Sequence, residues 1–400
     1  MEREDFIRLA DGAGQALLAQ IDYSSSTDVV ALVSKLRSQG HDPATVAAVL
    51  TQAKLRKRAV AKFGEFASQM LFTEAGLEQA SRLKVAALHA GRFRSAGIKQ
   101  VADLGCGIGA ESMALASLGL EVKAFEIDEV TAAVATYNLA PFENASVEIA
   151  DVEKLELSGF EALYFDPARR ELHGPRKATT QRHFDPANFS PNYSFVIEQA
   201  KTKPTGIKLG PGHDKKQIPK HCEAQWISVE GDLVELGLWF GKLAREKVAR
   251  SALLMSATGQ HEITSAKTES PNAELAEIGE YIFEPDNSLI RSGLIADFAK
   301  PLGLTLISPE IAYLSSNQEI SSPWLKGYKI IDNLVFDRKK LKAYIHENNI
   351  GILEIKKRGS DVSPEQLRKQ LAPKGEGAAT LIVTRVGDAH RVLVAQPIGN

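Results

Sequence analysis

Val101-Ala-Asp-Leu-Gly-Cys-Gly-Ile-Gly109 is the stretch on which the fold turns. It opens as a short apolar run, closes on alternating glycines, and is followed over residues 110–118 by helical spacing of Ala, Met and Leu. That order predicts a strand, a glycine turn and a helix. Glycine permits the positive φ such a turn needs and lets a ligand approach bare backbone. The amides at the start of the helix then face that ligand. Working outward, short apolar runs at 101–104, 122–127, 147–149, 162–165 and 206–209 alternate with helical segments. The alternation predicts an α/β fold with a Rossmann-like parallel sheet and right-handed crossovers. Residues 226–229 and 234–239, joined by Glu230-Gly-Asp232, read as a hairpin at the sheet's edge.

Upstream, residues 1–97 read as a helical region. Val29, Val30, Leu32, Val33 and Leu36 share one face before Gly40, and Asp42-Pro43 starts a helix carrying Val46, Val49, Leu50 and Leu55. A third helix is expected from Thr73-Glu74 through Leu77, Val85 and Leu88 towards Phe93 and Gly97. Residues 98–255 form the sheet domain, and 256–323 read as a mixed connecting region. Residues 324–400 form a small α/β domain in the order strand 328–336, helix 338–348, strand 350–355, helix 364–371, then paired strands 379–386 and 390–395. A chain of 400 residues with 44% apolar, 7% aromatic and 24% charged residues fits a globular protein of two or three domains. Two cysteines cannot build a disulfide framework, and nine histidines show no metal-ligand spacing, so no metal is expected. Met1-Glu-Arg-Glu-Asp5 lacks a signal-peptide layout, and no apolar run nears the roughly 20 residues that span a bilayer. Secreted, membrane-spanning and zinc-finger classes are thereby excluded, and a cytoplasmic enzyme is expected.

The glycine turn alone is ambiguous, because Gly105, Gly107 and Ala110 also satisfy a dinucleotide fingerprint. Acidic residues separate the two readings. Asp103 stands two positions before the first glycine, where a carboxylate would meet a cationic amino-acid group but repel a pyrophosphate. Glu126 closes the second strand, placed to accept from both ribose hydroxyls. Asp151 follows the third strand, where it can accept from an adenine amino group. The ligand these acids fit is S-adenosylmethionine.

With acids after three successive strands, the chain resembles a class I S-adenosylmethionine-dependent methyltransferase. The resemblance implies a cofactor site built from Thr73, Asp103, Gly105, Gly107, Gly109, Glu126, Ile127 and Asp151. Phe165-Asp-Pro-Ala-Arg-Arg170, after the fourth strand, resembles the Asp/Asn-Pro-Pro-aromatic motif of enzymes that methylate exocyclic amines. There an acidic or amide side chain and the carbonyl of the first proline hold the amine hydrogens, so positioning does most of the catalysis. Asp166 and Pro167 match that motif, and Ala168 and Arg169 depart from it. An arginine plane can stack on a base instead, as can His183, Phe184, Phe189 or Tyr193 in the loop that follows. The expected catalytic residues are Asp166, Pro167 and Arg169, with Arg170 and Phe184 on the substrate. Phe72-Thr73 resembles the aromatic-hydroxyl pair ahead of the glycine loop in trimethylguanosine-synthase-like enzymes, and Thr73 also suits a helix cap. Asn138 resembles the helix asparagine of nucleic-acid methyltransferases, but reads as a solvated polar residue. Lys208-Leu-Gly-Pro-Gly212 reads as either a wall of the substrate cleft or a chain turn.

Over residues 70–400 the chain is similar to bacterial class I methyltransferases with a C-terminal THUMP-like domain. Phe184-Asp-Pro186, Val229-Glu-Gly-Asp232 and Glu284-Pro-Asp286 carry this together with the two motifs above. The resemblance implies an RNA partner and an RNA-base amine, such as guanine N2, as acceptor. Charge is consistent with that. Residues 324–400 hold 14 Lys and Arg against 8 Asp and Glu, and residues 168–221 hold 11 against 4, in a chain of net charge −2. Lys356, Lys357 and Arg358, in a basic turn ahead of a helix, are candidate phosphate contacts, or an exposed loop. Two other readings stand beside this one: a small-molecule methyltransferase whose arginines recognise a carboxylate or phosphate, and an RNA-binding protein that binds S-adenosylmethionine without catalysis.

Overall fold

The structure is a computed structural model that describes residues 1–24, 26–169 and 189–399. It divides into two compact units, Met1–Leu209 with Leu238–Ala244, and Gly210–Gly237 with Arg245–Asn400. The division runs through the stretch read from sequence as one domain, 98–255.

The first unit begins with helices α1 (Arg3–Ala10), α2 (Gly12–Ala19), α3 (Val29–Ser38), α4 (Pro43–Phe63), α5 (Glu74–Gln79) and α6 (Leu83–Ser95). Asp28 caps α3 and Asp42 caps α4 through side-chain acceptors, with Pro43 in the first turn. The single helix expected from 73 to 97 is two. Ala80 leaves the helical region at ψ 140°, and the Lys62 ammonium donates to the freed carbonyls of Leu77, Glu78 and Ala80 at 2.7–2.8 Å. A cation on the last carbonyls ends the helix there.

The sheet of this unit follows as β1 (Gln100–Leu104), α7 (Ala110–Ser117), β2 (Glu121–Glu126), α8 (Glu129–Leu139), β3 (Ala145–Ile149), β4 (Ala162–Phe165), β5 (Ala168–Arg169), β6 (Phe189–Ser190), α9 (Tyr193–Ala200) and β7 (Thr205–Leu209). Its order is β7-β4-β1-β2-β3, parallel throughout. Every residue of β4 is buried, the burial of a strand covered on both faces. The register pairs Leu104 with Phe125 and with Phe165. The chain therefore leaves β1, β2 and β4 on the same side, at the carboxyl edge where ligands of such sheets bind.

The second unit holds β8 (Glu223–Val229), most of β9 (Asp232–Phe240), β10 (Arg250–Ser256) and β11 (Gly259–Ser265) in the order β11-β10-β8-β9. The 226–239 hairpin is therefore not the sheet's edge. β8 pairs in parallel with β10, and β11 takes the edge. The turn inside Val229-Glu-Gly-Asp232 has Glu230 at φ 52° and Gly231 at φ 84°, the two positive values of the hairpin turn whose twist matches its strands. A second sheet contains β12 (Tyr281–Pro285), then after α10 (Asn287–Ser292) and α11 (Ile295–Ala299) come β13 (Thr305–Ser308), β14 (Ile311–Ser316) and β15 (Leu325–Val335). α12 (Arg338–Glu347), β16 (Ile350–Lys357), α13 (Pro364–Leu371), β17 (Gly377–Val386) and β18 (Ala389–Pro397) complete it, in the order β13-β14-β12-β15-β18-β17-β16. The region 256–323 read as a connector thus contributes strands to the same sheet as the C-terminal segment.

Candidate active site

The backbone of the glycine turn is fixed from β2. The amides of Gly105 and Cys106 both donate to the carbonyl of Phe125 at 3.0 Å. Gly105, Gly107 and Gly109 take φ of 92°, 55° and 87°, and Gly109 caps α7. A Cβ on Gly105 would stand 3.3 Å from the carbonyl oxygen of Asp166, so glycine there lets the Asp166-Pro167 backbone close on the turn. Glu126 ends β2 and accepts from the amides of Gly107 at 3.0 Å, Ile127 at 2.9 Å and Asp128 at 3.0 Å. Its carboxyl is raised by burial, with the Asp128 charge adding to this and the three amides opposing it. Glu126 is thus the pin of the turn as well as a carboxylate facing it. Ile127 is 59% exposed and Ile149, beside Glu126 in register, 57%. A flat ligand over the ends of β2 and β3 would cover both.

Asp103 is fully buried, and its Oδ2 accepts from the Ser112 hydroxyl at 2.5 Å. Its Oδ1 has no hydrogen-bond partner. Burial pushes the carboxyl up to about 7, against the Ser112 bond and together with the charges of Glu111 and Asp166. An orphaned carboxylate oxygen at the turn fits a cationic ligand group. Beneath it lies a cluster that the sequence did not reveal. His89 Nδ1 lies 3.2 Å from both Glu111 carboxylate oxygens and 3.2 Å from the Tyr164 hydroxyl. Burial works to raise Glu111, yet His89 and Lys208 bring its carboxyl below the ordinary value.

Asp151 follows β3 as expected. Its Oδ1 accepts from the Glu153 amide at 3.2 Å, and Lys154 lies 3.0 Å from its Oδ2. Asp166 stands at the end of β4, with Pro167 buried behind it. Its Oδ2 accepts from the Lys208 ammonium at 2.6 Å, and Lys208 also donates to the Gln79 carbonyl at 3.0 Å. Lys208 is the last residue but one of β7 and its side chain is 12% exposed. Lys62 lies near this pair, its ammonium pulled down to about 8 by burial and by Lys208. Of Arg169 the structure describes the backbone, in β5. Arg170, His183, Phe184 and the rest of Phe184-Asp-Pro186 lie outside the described residues.

Thr73 caps α5, its Oγ1 accepting from the Gly76 amide at 2.9 Å. A Cβ on Gly76 would come within 2.4 Å of the Ile108 Cγ2, so this cap packs directly on the glycine turn. The preceding residues are held from three places. Gln52 exchanges two bonds with the Phe72 backbone, and Arg56 Nε donates to the Met70 carbonyl at 2.9 Å. Asn138 accepts from the Leu71 amide at 2.8 Å and donates to the carbonyls of Leu71 and Ile108 at 3.0 and 2.9 Å. Asn138 is therefore not solvated. It is buried, and its amide joins the Met70–Thr73 stretch to the glycine turn because backbone groups packed there have no water to bond.

In the second unit the basic turn is differently placed from its sequence reading. Lys356 and Lys357 are the last residues of β16. Lys356 donates to Glu284 Oε2 at 2.8 Å and Arg358 to Glu284 Oε1 at 3.4 Å. They lie over the rings of Tyr328 and Tyr313 respectively. Neither charge is held out to solvent as a phosphate contact would be, because both are drawn onto the one Glu284 carboxylate. Lys357 points the opposite way along the pleat and is exposed. Glu230, Glu284, Asp286 and Lys356 line one cleft of about 280 Å³, which gathers the Val229-Glu-Gly-Asp232 and Glu284-Pro-Asp286 motifs.

Among the described residues no His, Cys, Asp and Glu group could hold a metal ion, and no helix is long and apolar enough to cross a membrane. Residues 325–397 match the THUMP domain-like family, and residues 2–59 match a domain of unknown function, DUF8688. An uncharacterized S-adenosylmethionine-dependent methyltransferase of Mycobacterium tuberculosis, present in two strains, is 30% identical over 342 residues, spanning 83% of this chain and 91% of that protein. A crystal structure of a candidate methyltransferase from Porphyromonas gingivalis W83 superposes with a TM-score of 0.72 at 22% identity, over 100% of this chain and 99% of that one. The last likeness extends the fold over the whole length.

Proposed function

We propose that this chain, which belongs to the S-adenosylmethionine-dependent methyltransferases, moves the methyl group to an exocyclic amine of an RNA base, with guanine N2 the amine we favour. The observation that carries the amine reading is the packing of the Asp166 carbonyl 3.3 Å from the Cβ position of Gly105. It brings the Asp166-Pro167 backbone against the turn that the cofactor would occupy. The THUMP domain-like match over 325–397 supports the RNA part. S-adenosylmethionine, when bound, supplies an electrophilic methyl on a sulfonium centre. The orphaned Oδ1 of Asp103, the glycine turn and exposed Ile127 and Ile149 fit its amino-acid, ribose and adenine parts.

In this reading Asp103 meets the cationic amino group, Glu126 accepts from the ribose hydroxyls, and Asp151 from the adenine amine. Gly105, Gly107 and Gly109 admit the ligand against bare backbone. Asp166 and the Pro167 carbonyl hold the hydrogens of the acceptor amine and aim its lone pair at the methyl, an orientation effect. Lys208 fixes the direction of the Asp166 carboxylate through the bond at 2.6 Å. Arg169, Arg170 and Phe184 are offered to the base. The cytoplasm is the compartment we assign, since the two cysteines are free buried thiols, the form a reducing compartment keeps.

The test compares transfer of labelled methyl from S-adenosylmethionine into total RNA and into a metabolite extract. RNA should be labelled, and Asp166→Ala should lower single-turnover transfer by at least about 100-fold with cofactor affinity retained. Label confined to the metabolite extract would overturn the RNA reading and favour a small-molecule acceptor. Transfer within about threefold of wild type in Asp166→Ala would overturn the amine-positioning role.

A further inference from the structure

The second unit contains a cavity of about 640 Å³, within the roughly 300–1,000 Å³ of sites that enclose a small ligand. Lys215, Lys216, Lys220 and Arg250 line it, against the two carboxylates Glu269 and Glu310. No basic residue in its wall makes an ion pair among the described residues. Arg250, 8% exposed, donates only to neutral oxygens: the carbonyls of Lys267 at 2.8 Å, Ser292 at 2.7 Å and Gly293 at 3.3 Å, and the Ser270 hydroxyl at 2.7 Å. A Cβ on Gly293 would lie 2.9 Å from Arg250 Nη1 and 3.7 Å from Lys215 Nζ. The absent side chain thus leaves the two cations to converge on one wall. Although Lys215 exposes much of its chain, desolvation, then Arg291 and Arg250, hold its ammonium below the ordinary lysine value. Asp297 and Glu269 act on Arg250 from beyond ion-pair distance, and cations crowded together with no carboxylate in contact form a site for an anion.

A second group points the same way. Trp226 lines the same cavity and is 1% exposed, yet its Nε1 has no hydrogen-bond partner. A buried indole N–H normally finds an acceptor. Lys215 Nζ lies 5.8 Å from the centroid of the same ring. One wall therefore offers an unmet donor and two cations in no direct ion pair, within a volume that also accommodates a nucleoside.

We propose that this cavity binds the phosphate of a nucleotide, with Lys215 and Arg250 on the phosphate and Lys216 and Lys220 at its mouth. The shared chemistry is a nucleoside monophosphate unit, supplied either as a free nucleotide or as part of an RNA strand. The site is independent of the methyl-acceptor reading, and its test uses no S-adenosylmethionine.

The experiment titrates the full-length protein with the four nucleoside 5′-monophosphates, the matching nucleosides and a single-stranded oligoribonucleotide, following tryptophan fluorescence and calorimetry. At least one monophosphate should bind tenfold or more tightly than its nucleoside. Lys215→Gln, a change at an exposed position, should weaken that binding by about tenfold. The double variant Lys216→Gln/Lys220→Gln should weaken it and reduce its salt dependence. Displacement of the bound monophosphate by the oligoribonucleotide would assign the site to RNA, and its absence to a free nucleotide; either outcome supports phosphate recognition. Nucleosides binding as well as their monophosphates would overturn the proposal. So would equal monophosphate affinity in wild type and both folded variants.

Discussion

Asp103 carries a conflict between folding and binding. With its carboxyl raised to about 7 by burial, the folded protein holds a proton there that the unfolded chain, near about 4, has released. A raised acid contributes its stability below the unfolded value, and loses it as pH climbs through 7. A cationic ligand group needs the opposite, ionised form. In the proposed site, affinity for S-adenosylmethionine should therefore rise several-fold from pH 6 to pH 7.5, as the ionised fraction grows. Over the same interval the ligand-free protein should lose thermal stability. Asp103→Asn should flatten both trends and weaken binding throughout. Calorimetric affinities and melting midpoints at four pH values check this, and parallel pH trends in wild type and Asp103→Asn would sink it.

At the scale of the element, the Met70–Thr73 stretch shows why part of the site was legible and part was not. Thr73 could be read as a cap because capping is local: a hydroxyl three residues before its amide. The glycine turn and Glu126 were legible for the same reason, as their chemistry follows from strand, turn and strand end. Asn138, Gln52 and Lys208 act across 20 to 129 residues of sequence, and a lone polar residue on a helix reads as solvated until its partners are known. His89 and Glu111 hid likewise, on two helices that only packing brings together. The break at Ala80 was invisible because apolar spacing continues through it. Removing Asn138 would strand the amide of Leu71 and the carbonyls of Leu71 and Ile108 in a buried place, at about 1–3 kcal/mol for each group left unpaired. Asn138→Ala should therefore lower the denaturation midpoint clearly and weaken S-adenosylmethionine binding. Thr51→Ala, at an exposed hydroxyl of α4, serves as the neutral control. Equal midpoints for Asn138→Ala and Thr51→Ala would show that the Met70–Thr73 stretch holds without its latch.

For the whole molecule, the RNA reading turns on which charges of the C-terminal segment are free to meet a phosphate. The sequence offers a balance of +6 over residues 324–400 but not which cations are already engaged. Glu284 lies in β12, outside that segment, and joins it because β12 pairs with β15. Burial works against the Lys356 ammonium, yet Glu284 and Tyr328 hold it above the ordinary lysine value. Lys356 and Arg358 thus belong to the sheet's own cohesion, and Lys357 is the exposed member of the trio. Each neutralised phosphate adds about one to the slope of log affinity against log salt. In the RNA reading, Lys357→Ala should leave the melting midpoint unchanged while flattening that slope by about one. Glu284→Gln should do the reverse: it should lower the midpoint, because two partly buried cations lose their partner, without reducing the slope. Filter binding of a structured RNA at four salt concentrations, beside melting curves for both variants, separates the roles. A Lys357→Ala protein with wild-type affinity and slope would remove this edge from the RNA path.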